Sequence, residues 1–314
     1  MDAPSSLNLP AGFTARPVTF DDLDAVLALI RACEAHDAGM AELDREDLVA
    51  DWSRPAMDLA AMTLAVFEGD DMVAEAEVLR QRGEVSILPQ RRGRGIGTAV
   101  LPWVEGVARA QGSYCRQVVN AGARDAAAFL LSNGYTGAFT SWILGIPLDD
   151  DLVAPVLPEG FGFRAYRPGA DDEEIYRLVE DAFGEWEMRD PTTFEDWAAL
   201  TIRRESFEPW HMILAADEAT GELVGTAYLI DYEGLGEGWI QQLATKATHR
   251  HRGIARALLH RAFELYRERG KTVAELNTDS RTGALALYQK VGMTVRSSYT
   301  NFLKGFGSDR VPMV

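Results

Sequence analysis

The pattern of hydrophobic and polar positions predicts strands and helices in the same order in both halves of the chain. Short apolar runs between turn residues predict strands, and apolar residues at every third or fourth position predict helices. The predicted strands are 13–18, 62–67 and 72–79 in the first half and 161–167, 212–217, 223–230, 238–247 and 272–277 in the second. This mixture predicts an α/β fold of the mixed α+β kind. Each half is expected to have a mostly antiparallel central sheet with helices on both faces.

The clearest helix signal follows a basic, glycine-containing loop late in the second half. The predicted helix runs to Gly270 and carries apolar residues at helical spacing, namely Ile254, Leu258, Ala262 and Leu265. A later helix is predicted around Tyr288, and Gly292 is placed to end it.

An internal repeat relates the two halves. Residues 92–97 (RGRGIG) reappear as residues 250–255 (RHRGIA), and residues 130–135 correspond to 288–293 at the same separation of 158 positions. A third correspondence, of Gly12-Phe13 with Gly160-Phe161, has a separation of 148 positions. Two copies of one domain explain these correspondences better than a solenoid, which would need a shorter period and more copies.

The segment between the two copies has the composition of a linker. Three prolines and a run of three aspartates lie between Pro147 and Gly160. We therefore predict two domains, 1–155 and 156–314.

Composition and charge narrow the classes of partner. The chain of 314 residues is 47% hydrophobic and 25% charged, which is typical of a globular protein. Its net charge of −17 disfavours nucleic-acid partners and favours cationic small molecules. No run approaches the roughly 20 apolar residues of a membrane helix, and the N-terminus lacks the features of a signal peptide. With only Cys33 and Cys115 as cysteines, we expect a reduced cytoplasmic protein that is a monomer or homodimer.

The repeated basic loop suggests an anion-binding site. Glycine and alanine leave the backbone open to a bound group, and the first N–H groups of the following helix have no partners within the helix. A P-loop would continue as Gly-Lys-Ser/Thr, and a dinucleotide fold would place GxGxxG after its first strand. Neither pattern is present, and coenzyme A remains as the common pyrophosphate ligand of such a loop.

These residues make the chain similar to the GNAT acetyltransferase superfamily, and to its tandem-domain members such as the mycothiol synthases. The resemblance is carried by Arg92-x-x-Gly95-x-Gly97, Arg250-x-x-Gly253-x-Ala255 and Ala284-x-x-Leu287-Tyr288-x-x-x-Gly292-Met293, and it covers nearly the whole chain. It implies that the loop binds the pyrophosphate of acetyl-CoA and that the preceding strand pairs with the pantetheine. The thioester would then lie between this strand and strand 272–277.

The resemblance also implies residue roles. Tyr288 matches the general acid that protonates the departing thiolate, whereas the first copy has Leu130 at that position, so catalysis is assigned to the second copy. The implied cofactor-binding residues of the second copy are Leu243, Ala244, Thr245, Arg250, His251, Arg252, Gly253, Ile254, Ala255, Asn277 and Ser280. Those of the first copy are Val85, Ile87, Arg92, Gly93, Arg94, Gly95, Ile96 and Gly97.

An amine acceptor must lose a proton before it attacks, so a carboxylate base is expected. The candidates are Asp231, Glu233 and Glu237, of which we favour Glu237 because it enters the strand that reaches the thioester. Trp239 stands where the mycothiol synthases carry a glutamate, so the identity of the acceptor stays open. The five histidines show no metal-ligand spacing, and we expect no metal.

The leading hypothesis is an N-acetyltransferase that moves acetyl from acetyl-CoA to the amine of a small molecule by direct attack. A non-catalytic acyl-CoA-binding or sensor protein is the first alternative. Acetylation of a protein N-terminus or lysine is the second. Acceptor selectivity is expected to come from the loops 33–52 and 183–210, where Trp186, Trp197 and Trp210 are candidate lining residues.

Overall fold

The computed structural model describes residues 7–149, 151–186, 188–232 and 236–307. The helices are α1 (Leu23–Asp37), α2 (Arg45–Trp52), α3 (Leu59–Met62), α4 (Ile96–Gln111), α5 (Arg124–Ser132), α6 (Asp172–Phe183), α7 (Phe194–Leu200), α8 (Ile254–Glu268) and α9 (Leu285–Lys290). The strands are β1 (Phe13–Arg16), β2 (Thr63–Glu68), β3 (Asp71–Leu79), β4 (Arg82–Ile87), β5 (Tyr114–Asn120), β6 (Thr136–Pro147), β7 (Phe161–Arg164), β8 (Met212–Asp217), β9 (Leu223–Asp231), β10 (Glu237–Thr245), β11 (Val273–Asp279) and β12 (Thr294–Gly305).

Two compact units make up the chain. Unit 1 contains the described residues up to Thr140 together with those from Ser298 onward, and unit 2 contains Ser141–Ser297.

In unit 1 the strands follow the order β1-β2-β3-β4-β5-β12. Neighbouring strands are antiparallel except for β4 and β5, which pair in parallel. One apolar core packs α4 and α5 against a face of this sheet, with Val104, Cys115 and Leu130 among its buried members. A second core packs α1 and α2 on the other face around Val26 and Trp52.

In unit 2 the strands follow the order β7-β8-β9-β10-β11-β6. All neighbours are antiparallel except β10 and β11. One core lies under α8 and α9 and contains Leu258, Phe263 and Tyr288. The core on the opposite face lies under α6 and α7 and contains Val179 and Trp197. Both units thus have the expected fold, a mostly antiparallel sheet between helices.

The first helix of each unit is anchored by the arginine that the repeat shares. Arg16 of β1 forms a bidentate ion pair with Asp22, and Arg164 of β7 pairs with the fully buried Asp171. Arg16 lowers the pKa of Asp22 to about 2, and hydrogen bonds from Arg167 and Arg164 hold the pKa of Asp171 below its usual range. The acids that lead into the helices therefore also fix the helices to the sheets.

The last strand of each sheet is not the next strand along the chain: β12 follows β5 in unit 1, and β6 follows β11 in unit 2. Residues 141–147 of β6 pair with β11 in unit 2, whereas residues 299–305 of β12 pair with β5 in unit 1. The division by contacts therefore falls within β6 and again within β12, and not at the proline-rich segment near residue 155. The reason is strand pairing, because each sheet takes its last strand from a segment that spans both units.

Candidate active site

The two parallel strands of unit 2 separate part of the way along their length. β10 pairs with β11 from Glu237 to Ile240, opposite Val273 to Leu276. β10 stays paired with β9 as far as Thr245, and β11 stays paired with β6 as far as Asp279. Among the described residues no pairing joins the later parts of β10 and β11. A wedge-shaped opening therefore lies between residues 241–245 and residues 277–279.

Backbone groups of β10 face this opening. The Lys246 N–H donates to the Val224 carbonyl of β9, and alternate residues of an antiparallel strand direct their polar groups to opposite sides. Leu243 and Thr245 therefore direct their N–H groups away from β9 and into the opening. The Thr245 hydroxyl is buried and has no hydrogen-bond partner in the part of the chain that the structure describes. This edge of β10 can receive an extended ligand as an added strand does.

The loop at the end of the opening leads directly into α8. Gly253 is the N-cap residue with φ of 91°, and because it has no side chain it leaves the first N–H groups of α8 uncapped. His251 also has a positive φ of 62°, which is uncommon for a residue other than glycine. In unit 1, Gly93 and Gly95 have φ of 73° and 86° at the matching positions. Both loops thus share one backbone conformation, with the first N–H groups of the following helix left free of side-chain caps as they are at helix N-termini that bind anions.

The first arginine of each loop braces the loop to its surroundings. Arg250 donates from Nε to the Thr245 carbonyl at 3.3 Å and pairs through Nη1 with Glu185 at 2.5 Å. In unit 1, Arg92 donates from Nε to the Ile87 carbonyl at 3.0 Å and pairs with Asp37 through both Nη atoms. These arginines hold the strand end and the helix start together, a role that the sequence did not reveal.

The other predicted cofactor residues of unit 2 lie around the same opening. Arg252 and His251 are exposed on the loop, and the Arg252 guanidinium lies 6.0 Å from the centroid of the Phe161 ring. Asn277 is exposed on β11, one residue beyond the last β10 partner, and Ser280 is exposed just after β11. Ala244, Ile254 and Ala255 complete the strand end and the helix start, and Ala244 and Ile254 are buried.

Tyr288 lies on α9 in the core beneath α8. It is buried with Ile254 and Leu258, and Leu243 of β10 packs against the same cluster. Burial raises the pKa of its phenol to about 12. The predicted acid and the strand that borders the opening are therefore brought into one cluster, and the phenol stays protonated at neutral pH.

The two described base candidates, Asp231 and Glu237, lie toward the other end of β10. Glu233 lies outside the described residues. Asp231 pairs with Lys271. Glu237 pairs with Arg296 at 3.4 Å, and it lies four residues before Gln241, about 13 Å along an extended strand. The structure therefore brings neither Asp231 nor Glu237 close to the basic loop 250–255.

The sequence analysis did not identify a further carboxylate, which lies on the same face of the sheet as Glu237. Glu275 of β11 lies beside Trp239 in the parallel register and forms an ion pair with Arg296. Burial and the neighbouring charge of Glu237 raise the pKa of Glu275 from its ordinary value. Only the pairing register of β10 with β11, which a single sequence does not contain, reveals this neighbour.

Unit 1 contains a similar opening. β4 pairs with β5 only at Arg82 and Gly83, whereas it stays paired with β3 as far as Ile87. Val85 and Ile87 therefore border the opening. The structure places Arg94 in an ion pair with Glu68, and Ile96 begins α4 with Gly97 behind it. Leu130 is buried at the position that matches Tyr288.

Comparisons with known proteins agree with this geometry. The pattern of the Acetyltransferase (GNAT) family matches residues 173–293. The mycothiol acetyltransferase of Thermobispora bispora is 31% identical over 289 residues, which cover 87% of this chain and 92% of that protein. The mycothiol acetyltransferase of Salinispora tropica is 31% identical over 71% of this chain and 72% of that protein.

Solved structures show the same fold. A GCN5-related N-acetyltransferase from Sphaerobacter thermophilus has a TM-score of 0.77 and 32% identity, and the match covers 95% of this chain and 97% of that one. A tandem GNAT protein from the clavulanic acid biosynthesis pathway has a TM-score of 0.74 at 18% identity, covering 95% of this chain and 100% of that one.

Fold and site together define an acyltransferase that uses an acyl-CoA donor. The chain belongs to the GNAT family of acetyltransferases and is an N-acetyltransferase. The family resemblance carried by the two loops and by the α9 motif is thereby confirmed.

No helix among the described residues is both long and apolar enough to cross a bilayer. No group of three or more histidine, cysteine, aspartate or glutamate side chains in the described ranges could hold a metal ion.

Proposed function

We propose that unit 2 transfers the acetyl group of acetyl-CoA to the amine of a small molecule in one direct step. The observation that carries this proposal is the opening between β10 and β11, which ends at an uncapped helix start. Two relatives with 31% identity are named mycothiol acetyltransferases, which supports a small-molecule acceptor.

The residues around the opening suit an acetyl-CoA donor. Residues 253–255 offer N–H groups and a positive helix end to a pyrophosphate, and each charge-assisted hydrogen bond is worth about 1.5–3 kcal/mol. The edge of β10 at Leu243 and Thr245 offers amide partners, and the Thr245 hydroxyl is an unused polar atom among the described residues. Acetyl-CoA supplies an activated thioester, and the Leu243 N–H is placed to polarise its carbonyl.

Two kinds of proton transfer are assigned to side chains. Tyr288, which burial keeps protonated, donates its proton to the departing thiolate. Glu237 and Glu275 both pair with Arg296 at the end of β10 that is joined to β11, and they are too far from the opening to contact the amine directly. The proton of the amine therefore reaches this pair of carboxylates through water. The raised pKa of Glu275 makes it the better acceptor of this proton.

Direct transfer is proposed because the cysteines are poor nucleophiles. Cys33 and Cys115 are free and buried, and burial raises the pKa of both thiols to about 11. At neutral pH the thiolate fraction would be about one in ten thousand. Both residues also lie in unit 1, which has Leu130 in place of an acid.

Unit 1 is proposed to bind acyl-CoA without catalysing transfer. It keeps the loop conformation and the strand opening, but no tyrosine occupies the position of Tyr288. This proposal combines the enzyme hypothesis for unit 2 with the binding-module hypothesis for unit 1.

Release of free CoA thiol, detected with DTNB, tests the proposed function. The full chain is mixed with acetyl-CoA and a panel of small amines, amino acids and amino sugars. We expect thiol release that depends on the amine, with turnover on the usual enzyme scale of about 1–10³ per second for a good acceptor. Tight CoA binding with no amine-dependent release would favour the sensor alternative. Release only with a peptide or protein acceptor would favour the protein-acetylation alternative.

A further inference from the structure

A β-bulge in β10 places two consecutive glutamines on one face of the sheet in unit 2. Ile240 lies opposite Leu229, and Gln242 lies opposite Tyr228, the very next β9 position, so that Gln241 is an extra residue. Ile240 and Leu243 pack into the core under α8. Gln241 and Gln242 instead contact side chains of the face that carries α6 and α7. A regular strand would have placed them on opposite faces.

Each glutamine is held by a tryptophan. The indole Nε1 of Trp197 donates to Oε1 of Gln242 at 3.1 Å, and that of Trp239 donates to Oε1 of Gln241 at 2.5 Å. An indole N–H can only donate, so the amide atom that it contacts must be the oxygen. Trp197 itself is only 2% exposed, which fixes the position of its ring. Both amide orientations therefore follow from the chemistry of their partners.

The fixed orientation leaves the amide nitrogens available. With its oxygen held by Trp197, Gln242 turns its NH₂ group the other way, and no hydrogen bond from that group is found within the described ranges. An NH₂ group can donate two hydrogen bonds and cannot take up the proton of an amine. The beginning of the opening is thus lined by neutral donors on this face.

These donors are on the side where an acceptor would approach. Tyr288 and the start of α8 lie on the opposite face of the sheet, in the core that also contains Ile240. A nucleophile and a leaving group occupy different sides of the carbonyl that they share. With the acid for the thiolate on the α8 face, the acceptor approaches from the face of Gln241 and Gln242.

We propose that Gln242, held by Trp197, is a specificity-determining residue that hydrogen-bonds an oxygen atom of the acceptor close to its amine, with Gln241 beside it. The substrates it selects are amines that carry a nearby hydroxyl or carbonyl oxygen, in preference to alkylamines or diamines of the same size. This inference rests on the proposed function of unit 2, since it assigns a role in the same site.

The test compares pairs of amines in which methyl groups replace hydroxyls. Ethanolamine and propylamine differ by one hydroxyl, and 2-amino-1,3-propanediol and 3-aminopentane differ by two. We expect the wild-type chain to prefer the oxygenated member about tenfold in kcat/KM, the range of one neutral hydrogen bond. Gln242→Leu should reduce this ratio to within about twofold while CoA affinity stays unchanged. Trp197→Phe should reduce the ratio as well, because it removes the N–H and keeps most of the packing.

Matched controls and a binding assay keep the result interpretable. Trp103→Phe removes an indole of unit 1, which is proposed not to catalyse transfer, and it should leave the ratio unchanged. The same pairs are titrated calorimetrically into the protein saturated with CoA, which measures acceptor binding without turnover. An absence of transfer to every amine would reject the proposed function, while a binding ratio that depends on Gln242 would still support this inference. Equal binding of both members, no binding of either, or a ratio unaffected by Gln242→Leu in a folded protein would overturn it.

Discussion

Tyr288 combines burial with a polar atom, and the proposed mechanism depends on this combination at the scale of a single residue. Its phenol lies in an apolar core, and burial raises its pKa to about 12. It can therefore give a proton to a thiolate and recover it from solvent without ever being ionised at rest. In the sequence, the resemblance of Leu287-Tyr288-x-x-x-Gly292 to the GNAT motif implied this role for Tyr288.

Replacing Tyr288 by phenylalanine tests that role. Tyr288→Phe removes only the hydroxyl, so the core should stay packed and CoA affinity should change little. We expect kcat to fall by roughly 10²–10⁴, the usual scale for one acid–base group. Steady-state kinetics with calorimetry of CoA binding measures both quantities. Unchanged kcat in a folded variant would show that another group, or water, protonates the thiolate.

Glu77 gives unit 1 a pH-dependent stability. Burial, followed by the charges of Glu84 and Asp51, raises the pKa of its carboxyl to about 7, while the Trp52 indole donates to it at 3.3 Å. The folded state thus holds this proton more tightly than the unfolded state, whose pKa is near 4.5. Its contribution to stability is complete below about pH 4.5 and is lost as the pH rises through 7.

Glu77→Gln should abolish the loss of stability at high pH, because the amide has no proton to lose and its oxygen can still accept a hydrogen bond from Trp52. We expect the variant to be more stable than wild type at pH 8, by on the order of 1–3 kcal/mol, and to match it near pH 4.5. Urea unfolding of unit 1 at both pH values measures the difference. Asp70→Asn, on an exposed turn, is the control. An equal effect of Glu77→Gln at both pH values would contradict the assignment.

At the scale of elements, the sequence predicted those strands, loops and helices that depend on the local pattern of residues. Strand β8 was predicted with its observed bounds, Met212–Asp217, because an apolar run there is bounded by turn residues. The two loops were predicted from their repeated glycines, and the structure shows positive φ at Gly95 and Gly253 in both copies. Spacing alone also placed Tyr288 on a helix.

Features that depend on pairing between distant segments could not be predicted. The bulge at Gln241 is defined by the register of β10 against β9, and the position of Glu275 by the register of β10 against β11. Neither β6 nor β12 was predicted, and their assignment to the sheets depends on contacts between residues far apart in the chain. The boundary near residue 155 was inferred from composition, which marks a linker but does not show which strands complete a sheet.

The strand from β12 should be essential to unit 1. Phe302 and Leu303 are 5% and 0% exposed, and residues 299–305 pair with all of β5. Ending the chain after Ser297 removes this strand and leaves the described part of unit 2 intact. We expect unit 1 to lose cooperative unfolding, since a Phe side chain alone contributes about 3–5 kcal/mol to a core.

Hydrogen exchange of the two units measures this effect. Ending the chain after Gly307 is the matched control, because it keeps the whole of β12. The amides of β3 and β5 should lose protection in the shorter chain only, while those of β9 and β10 keep it. Equal protection of β5 in both truncated chains would show that unit 1 does not need the strand.

Across the whole molecule, one site architecture occurs twice with different chemistry. Each unit has a strand opening, a loop arginine braced by an acid, and a helix whose N-cap residue is a glycine that leaves the first N–H groups uncapped. Where unit 2 has Thr245 and Tyr288, unit 1 has Ile87 and Leu130. The duplication therefore preserves the features proposed to hold an acyl-CoA, while the tyrosine proposed to complete the transfer is present in unit 2 and replaced by Leu130 in unit 1.

Turnover of two matched glycine variants tests most directly whether unit 2 performs the transfer. Gly253→Glu and Gly95→Glu place the same carboxylate at the same backbone conformation, with φ of 91° and 86°, at the phosphate end of each loop. Gly270→Glu, at a positive-φ glycine beyond the far end of α8, controls for backbone strain. We predict that Gly253→Glu lowers amine-dependent CoA release by orders of magnitude, while Gly95→Glu and Gly270→Glu stay within a few-fold of wild type. Loss of turnover in a folded Gly95→Glu variant, with turnover retained in Gly253→Glu, would contradict the account.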